Sequence, residues 1–194
     1  MKHLIVYAHP HESSFCHAVL EIAVKTLQDK GDSVVVRDLY KLGFNPVLSA
    51  KDFADLRGGE IPSDIAKEQV YIKEADCMTF IYPLWWTSMP AILKGYIDRI
   101  FAYGFAYQFT ENGDIEGLLG DKKVFIISTQ GTPNDIYDAS GMSEALKQTT
   151  DIGVFGFCGM NVLEHIFLGK VNCISEQERT DMLQKVQNTL KSAF

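Results

Sequence analysis

The sequence predicts an α/β fold in which a parallel β-sheet is covered by helices on both faces. The first observation behind this prediction is a series of short, continuous apolar runs, which are typical of strands buried on both sides. The second is that segments with helical spacing of apolar residues separate these runs. A chain that alternates between strand and helix in this way forms a parallel sheet with helical crossovers.

The predicted strands and helices follow one another along the whole chain. Strands are predicted at residues 3–9, 33–36, 77–84, 124–129 and 162–168. Helices are predicted at residues 14–30, 64–75, 90–101, 142–150 and 176–191. Because no repeat, low-complexity tract or Pro/Ser-rich linker interrupts this order, residues 1–194 are predicted to form a single domain.

Local signals support the ends of several helices. Gly31 follows the first helix at the position where a glycine commonly ends one. Pro90 suits the first turn of its helix. Ser175 is an N-cap candidate, with Glu178 in the first turn of the last helix. By contrast, the segment 41–63 is long and contains several glycines and prolines, so it is predicted to be an irregular surface excursion.

Composition excludes several classes of protein. With 194 residues, of which 46% are hydrophobic and 22% charged, the chain can bury a core, which excludes a disordered tail and a collagen-like fibre. The net charge of −7 argues against nucleic acid as the main partner. The cysteines lie far apart without a CxxC pair, so neither a metal site nor a disulfide framework is predicted. They are Cys16, Cys77, Cys158 and Cys173.

The amino-terminal segment favours a cytoplasmic protein. One basic residue, Lys2, precedes an apolar run that is too short for a secretory signal and lacks a small-residue cleavage site. No stretch approaches the roughly 20 apolar residues that a membrane span requires. We therefore expect reduced cysteines, cytoplasmic localisation and no insertion into membranes.

The loops after the strands are the candidate ligand sites, because an open parallel sheet binds ligands beyond the carboxyl ends of its strands. The first loop has neither a GxGxxG nor a GxxxxGK[ST] motif, which argues against a dinucleotide fingerprint and a Walker A loop. It places Ser13 and Ser14 at a helix start, where free N–H groups favour an anion, and His9 could donate to the same phosphate. An N-cap serine and a satisfied strand-end histidine are the alternative interpretation.

Two adjacent tryptophans, Trp85 and Trp86, follow the third strand. Adjacent side chains of an extended segment point in opposite directions, so one ring can face a cleft and stack on a planar ligand. The alternative is one tryptophan in the core and one in a dimer contact. With the loop at 129–132, these features suggest a flat aromatic ligand that bears a phosphate, and a flavin meets that description.

The segment 101–109 contains five aromatic residues and is too aromatic for an ordinary exposed loop. Such a patch usually marks an interface or a ligand groove. The alternative is a buried extension of the core.

Five stretches of the chain resemble one known family. They are Ala8-His9 with residues 13–15, the segments 44–49 and 63–69, the long segment 83–101 that continues at 104–107, and the segment 157–164. The string PLWWTSMPAILKGYIDRIF at 83–101 is long and specific. In these residues the sequence resembles the flavodoxin-like NAD(P)H:quinone oxidoreductases, the family of DT-diaphorase and the modulator of drug activity B proteins.

The resemblance implies a flavodoxin-like, doubly wound sheet of five parallel strands in the order 2-1-3-4-5, with helices on both faces. It implies a flavin as cofactor and NAD(P)H as co-substrate. The residues implied to hold the flavin are His9, Ser13, Ser14, Phe15, Pro83, Leu84, Trp85, Trp86, Thr87, Thr129, Gln130, Gly131 and Arg179. Tyr137 aligns with an active-site tyrosine, while Tyr107 and Phe109 match aromatic positions that a partner subunit contributes to the substrate pocket. A homodimer with its active site at the interface follows.

Two departures from the family pattern bear on chemistry. A histidine expected shortly after Tyr137 is replaced by Ser143, which puts a Tyr/His proton relay in doubt. Arg179 stands near the place of an arginine that lies beside the adenine of the larger flavin, but Cys16 replaces an asparagine and the excursion at 41–63 is short. Both FAD and FMN therefore stay open, with FAD slightly favoured.

The predicted function is a flavin-dependent NAD(P)H oxidoreductase that transfers hydride in two steps to quinones or similar planar electrophiles. Backbone N–H groups around Gln130 and Gly131 are expected to stabilise negative charge on the reduced flavin. The alternatives are a regulatory flavoprotein subunit that docks on a larger transport protein and a flavodoxin-type one-electron carrier. The partners expected are a small-molecule electron acceptor and a second copy of the chain, without nucleic acid.

Overall fold

The computed structural model describes residues 1–194, and its centre is a parallel sheet of five strands. In chain order the strands are β1 (Lys2–Tyr7), β2 (Ser33–Asp38), β3 (Cys77–Pro83), β4 (Tyr107–Phe109), β5 (Ile115–Gly117), β6 (Lys123–Thr129) and β7 (Asn161–Leu168). The large sheet has the order β2-β1-β3-β6-β7, and every pairing in it is parallel. Counted among the sheet strands alone, this order is 2-1-3-4-5, which confirms the predicted doubly wound, flavodoxin-like α/β fold.

Six helices lie between strands along the chain, as predicted from the alternating pattern, and a seventh follows the last strand. They are α1 (Phe15–Asp29), α2 (Ala50–Arg57), α3 (Ser63–Glu74), α4 (Ala91–Ile100), α5 (Asn134–Ala139), α6 (Met142–Lys147) and α7 (Glu176–Ala193). A π-helical segment, Gln148–Gly156, continues α6. None of these helices combines the length and the apolar composition needed to cross a membrane.

Two apolar cores cover the two faces of the sheet, since successive side chains of a strand point to opposite sides. In β1, Leu4 and Val6 pack against α3, α4 and the π-helical segment, whereas Ile5 and Tyr7 pack against α1 and α7. The central strand β3 is buried at every position. The continuous apolar runs of the sequence therefore correspond to strands enclosed by helices.

The excursion at 41–63 differs from its prediction, because it contains helix α2. Ser49 caps this helix in a reciprocal capping box with Asp52, the third residue of its first turn. Asp52 also accepts two hydrogen bonds from the buried guanidinium of Arg99 on α4. A long-range ion pair thus fixes a helix that the local density of glycine and proline disfavours.

The aromatic segment 101–109 is neither wholly core nor wholly surface. Phe101 and Ala106 are buried, whereas Tyr103 and Phe109 are exposed. Its last residues form β4, which pairs with β5 in an antiparallel hairpin that the sequence did not predict. The segment therefore lays aromatic rings on the surface beside α4, as an interface or groove requires.

Candidate functional site

A cavity of about 320 Å³ opens at the carboxyl edge of the sheet, beyond β1, β3, β6 and β7. Its lining residues are His9, Ser14, Phe15, Cys16, Pro83, Leu84, Trp85, Thr129, Gln130, Gly131, Val171, Asn172 and Arg179. All of them except Cys16, Val171 and Asn172 are among the residues that the sequence predicts for the flavin site. We call this space the edge cavity.

The start of α1 gives the edge cavity an anion-binding end. Ser14 is the N-cap residue, and its hydroxyl accepts a hydrogen bond of 3.1 Å from the N–H of His17. The backbone N–H groups of Phe15 and Cys16 have no backbone acceptor. Free N–H groups and the positive end of the helix dipole favour a phosphate at this position.

His9 is a neutral hydrogen-bond donor at this end of the cavity. Burial lowers the pKa of its ring, which favours the uncharged form. The Nδ1 atom accepts from the N–H of His11 at 3.1 Å, so the proton of the neutral ring resides on Nε2. Nε2–H is therefore available to donate to a bound anion.

Arg179 brings a positive charge to the same end. Its guanidinium lies 5.0 Å above the ring of Phe15, in cation–π geometry. No carboxylate lies within ion-pair distance of Arg179, although the neighbouring Glu178 pairs with Lys170. An unpaired guanidinium on a cavity wall is suited to an anionic ligand.

Gln130 lines the cavity and carries a buried side-chain oxygen without a partner. The side chain is 3% exposed, and its Nε2 donates to Thr132 O and to Asn134 Oδ1, both at 3.1 Å. These two bonds orient the amide and leave Oε1 without a hydrogen-bond partner. A buried acceptor of this kind costs about 1–3 kcal/mol unless a ligand or water donates to it.

The expectation that the backbone N–H of Gln130 faces the ligand is wrong. That N–H donates to Leu168 O at 2.9 Å, because β6 still pairs with β7 at this residue. The N–H of Gly131 has no backbone acceptor and remains available. A side chain at Gly131 would bring its Cβ within 2.9 Å of Asn172, so glycine keeps this wall of the cavity open.

The tryptophan loop is a tight turn with an unfavourable backbone. Trp85 and Ser88 exchange backbone hydrogen bonds of 3.0 and 3.2 Å around Trp86 and Thr87. Trp86 and Thr87 have φ values of 52° and 57°, and positive φ at both central positions characterises a type I′ turn. Such turns favour Asn-Gly, so a tryptophan and a β-branched threonine here are strained.

This turn separates the two tryptophans as the sequence predicts. Trp85 lines the edge cavity, and its ring centroid lies 5.9 Å from that of His9. Trp86 is fully exposed to solvent and does not line the cavity. Trp86 is predicted to hold the flavin with the rest of its loop, but its ring faces solvent and is not part of the edge cavity.

Two more predicted residues lie outside the edge cavity. Ser13 is exposed beside the N-cap. Thr87 has its hydroxyl 3.4 Å from the hydroxyl of Tyr137, which is half-buried in α5. At the position of the missing histidine, Ser143 donates to Asp138 at 2.5 Å, on an exposed surface. Tyr137 therefore has a threonine and no histidine as its side-chain partner.

The two residues expected from a partner subunit, Tyr107 and Phe109, lie outside the edge cavity of their own chain. They line a second, largely apolar cavity of about 730 Å³. The other residues that line this second cavity come from the excursion with its helix α2, from α4 and from the segment after α4: Leu48, Phe53, Leu56, Arg57, Asp98, Phe101, Ala102 and Tyr103.

Sequence reasoning missed the loop after β7, which contributes Val171 and Asn172 to the edge cavity. The N–H of Val171 donates to Gln130 O at 3.1 Å, which holds this loop against the end of β6. The signal was present, because the rule that ligands bind after strand ends applies to β7 as well. Cys16 also lines the cavity, and burial raises the pKa of its thiol to about 12, so it is uncharged.

Comparison with known proteins agrees with this geometry. The model of a family described by its flavodoxin-like fold matches residues 1–192. An NAD(P)H oxidoreductase of Haemophilus influenzae is 40% identical over 185 residues, which cover 95% of this chain and 91% of that protein. The NAD(P)H dehydrogenase [quinone] 1 of Cavia porcellus is 34% identical, over 98% of this chain and 76% of that protein.

A solved structure is also similar. The NAD(P)H:quinone oxidoreductase from Methanothermobacter marburgensis superposes with a TM-score of 0.90 and 28% identity, covering 98% of this chain and 97% of that one. The family match at residues 1–192 includes every strand of the sheet and every residue that lines the edge cavity. On this evidence, the chain belongs to the flavodoxin-like family of NAD(P)H:quinone oxidoreductases.

Proposed function

We propose that the protein is a flavin-dependent oxidoreductase that transfers electrons from NAD(P)H to quinones or similar planar electrophiles. The observation that carries this proposal is the edge cavity, which combines an anion-binding end with an aromatic wall and an unpartnered amide oxygen. The chemistry that a flavin supplies when bound is two-electron transfer in two half-reactions, first from NAD(P)H and then to the acceptor.

The anion-binding end suits the phosphate of a flavin. Ser14 and the free N–H groups at the start of α1 would bind its oxygens, together with Nε2–H of His9. Arg179 adds the positive charge and an aromatic stack with Phe15. Because Arg179 offers both charge and a flat surface, we favour FAD over FMN as the resident flavin.

The other end suits a ring system with polar edges. Trp85, Pro83 and Leu84 at the end of β3 line this part of the cavity together with Gln130 and Gly131 after β6. The Oε1 atom of Gln130 would accept from a ring N–H, and the N–H of Gly131 would donate to a ring carbonyl. The Gly131 N–H would also stabilise negative charge that develops on the ring.

The edge cavity needs a second copy of the chain to complete its acceptor pocket. Trp86 is fully exposed next to it, and the exposed rings of Phe53, Tyr103 and Phe109 form an aromatic surface around the larger cavity. Exposed aromatic surfaces of this kind are typical of interfaces. We infer a homodimer in which Tyr107 and Phe109 of each copy cover the active site of the other.

Tyr137 is the candidate for donating a hydrogen bond to the acceptor. Its hydroxyl lies 3.4 Å from that of Thr87, in the same turn as Trp85, which lines the edge cavity. A Tyr137→Phe variant removes only the hydroxyl, and we expect quinone turnover to fall by about tenfold. Unchanged turnover would remove Tyr137 from the mechanism.

The proposal is tested with the purified protein. We expect a flavin absorption spectrum, a released cofactor with the mass of FAD, and oxidation of NAD(P)H by a quinone or an azo dye. An Arg179→Met variant should lose flavin affinity, whereas Lys185→Met on the same helix should not. A protein that stays colourless and takes up neither FAD nor FMN would refute the proposal, and flavin binding without turnover would favour a regulatory subunit or a one-electron carrier.

A further inference from the structure

A third cavity lies next to the edge cavity and is lined by residues of the loops that follow β1 and β2. It has a volume of about 400 Å³, and we call it the β1–β2 cleft. Tyr7 and Asp38, at the ends of these two strands, line it together with Tyr40. His9 lines both cavities, so the cleft adjoins the edge cavity at this residue.

Tyr7 lines the cleft and carries a buried hydroxyl without a hydrogen-bond partner. The side chain is 1% exposed, and its hydroxyl has no hydrogen-bond partner. Burial raises the pKa of this phenol, so it is uncharged and can donate or accept. A group that binds here with a hydroxyl of its own would satisfy it.

Asp38 gives the cleft a free carboxylate. One oxygen accepts from the N–H of Lys41 at 3.1 Å, which leaves the other oxygen without a protein donor. No cation lies within ion-pair distance of Asp38; Lys41, at the mouth, is 3.9 Å from Glu12 instead. The carboxylate is therefore available to accept hydrogen bonds from a neutral ligand.

These groups select for a polyol rather than for an anion. A vicinal diol can donate two hydrogen bonds to a carboxylate, and an acidic residue at the end of the second strand binds the ribose hydroxyls in dinucleotide-binding α/β folds. Tyr40 supplies an aromatic surface for an attached base. A phosphate on the ribose would instead meet the charges of Asp38 and Glu12.

We infer that the β1–β2 cleft binds the adenosine ribose of the nicotinamide co-substrate and thereby selects NADH over NADPH. The inference rests on the proposed function, because it assigns the distal half of a co-substrate whose nicotinamide would react in the edge cavity. It places Asp38 and Tyr7 in binding specificity and leaves the chemistry unchanged.

The test uses three variants of the flavin-loaded enzyme and three electron donors. Asp38→Asn keeps the turn with Lys41 but removes the charge, Tyr7→Phe removes one hydroxyl, and Asp181→Asn on the exposed face of α7 is the matched control. The donors are NADH, NADPH and reduced nicotinamide mononucleotide, which lacks adenosine. We expect Asp38→Asn to lower kcat/KM for NADH by about tenfold or more, and Tyr7→Phe by about threefold to tenfold.

The donor without adenosine discriminates between a binding role and a structural one. We expect its kcat/KM to be the same in all variants, while the NADPH/NADH preference rises in Asp38→Asn. Equal losses with all three donors, or no change with NADH, would overturn the inference. A loss of bound flavin in Asp38→Asn would also overturn it, because the cleft would then belong to the cofactor.

A binding measurement separates failure of this inference from failure of the proposed function. Calorimetric titration of the protein with ADP-ribose, which cannot react, should show binding that weakens about tenfold in Asp38→Asn and is unchanged in Asp181→Asn. If no donor is oxidised but ADP-ribose binds in this way, the proposed function fails and the cleft assignment stands. If NADH is oxidised but ADP-ribose binds all variants equally, the cleft assignment alone fails.

Discussion

Replacing Arg99 with methionine tests whether the ion pairs of this residue hold the excursion at 41–63 against α4. The Arg99 side chain is 4% exposed, and its Nε and Nη2 donate to the two carboxylate oxygens of Asp52 at 3.2 and 3.1 Å. Nη1 donates to Asp64 at 2.6 Å and to Asn45 O at 3.1 Å. One guanidinium thus joins α4 to α2, to α3 and to the loop before α2.

The expected loss in the free energy of unfolding depends on the water contacts and hydrogen bonds that Asp64 and Asp52 keep without Arg99. Asp64 is half-exposed and regains water, so its share is small. The Asp52 side chain is 9% exposed and would keep only the hydrogen bonds of its capping box with Ser49. Removing one partner of a buried ion pair leaves an uncompensated charge, so Arg99→Met should lower the free energy of unfolding by about 3–5 kcal/mol.

The assay is urea denaturation followed by tryptophan fluorescence and circular dichroism, with Lys94→Met as control. Lys94 lies on the same helix and pairs with Asp98 at 2.5 Å on the surface, so its loss should cost about 0.5 kcal/mol.

Arg99 lowers the pKa of Asp52, so the stabilisation is present above the unfolded pKa and is lost as pH falls through the folded value. The difference between wild type and Arg99→Met should therefore shrink from pH 7 towards pH 3. A destabilisation within 1 kcal/mol of the control, or one that is independent of pH, would refute the reasoning.

Three further predictions follow from particular backbone and side-chain environments. Gly95→Ala should lower the denaturation midpoint severely, because the new Cβ would lie 2.1 Å from Pro46 O; a midpoint near that of wild type would contradict this close approach. Replacing Trp86-Thr87 with Asn-Gly should raise the melting temperature by relieving about 1–3 kcal/mol of strain, and a lower value would argue against stored strain. Burial lowers the pKa of His3, so the unfolded state binds more protons than the folded state does. The free energy of unfolding should therefore fall as pH drops below about 6.5. His3→Gln should flatten this part of the pH profile, measured by denaturation at pH 5 to 8.

The strands of the sheet were predictable because strands that are buried on both faces have continuous apolar runs in the sequence. Every predicted strand occurs within two residues of its predicted bounds, and β2 extends two residues beyond its prediction, to Asp38. The extension was not evident because Arg37 is charged, and its burial depends on an ion pair with Glu68 of α3. A partner 31 residues away cannot be seen in the local pattern of hydrophobicity.

Helix α2 and the π-helical segment were missed for a similar reason. Ser49 and Asp52 carry the capping-box pattern of a helix start, but the glycines and prolines around them outweighed it. The π-helical segment is fixed by tertiary contacts, with Phe155 buried against Phe80 and Asp151 accepting from Nδ1 of His165 at 2.8 Å. Local propensity does not specify either contact.

The candidate site was predictable at the level of loops and less so at the level of atoms. The rule that ligands bind after strand ends, with the family resemblance, identified most of the lining of the edge cavity. It could not show that the N–H of Gln130 is already bonded to Leu168, or that Trp86 points away, because both depend on how far strand pairing and turn geometry extend. These are properties of the assembled sheet edge.

Two buried polar atoms without partners connect stability with function at this edge. Gln130 lines the edge cavity and Tyr7 lines the β1–β2 cleft, and each carries a buried polar atom without a partner. Each costs about 1–3 kcal/mol in the free protein, and a ligand that donates to it recovers that energy on binding. Binding to the folded state alone then raises the melting temperature by mass action. We therefore expect flavin to stabilise wild type more than Gln130→Leu, and ADP-ribose to stabilise wild type more than Tyr7→Phe, in thermal melts at the same free ligand concentration. Equal shifts in wild type and variant would show that the unpartnered atom does not contact the ligand.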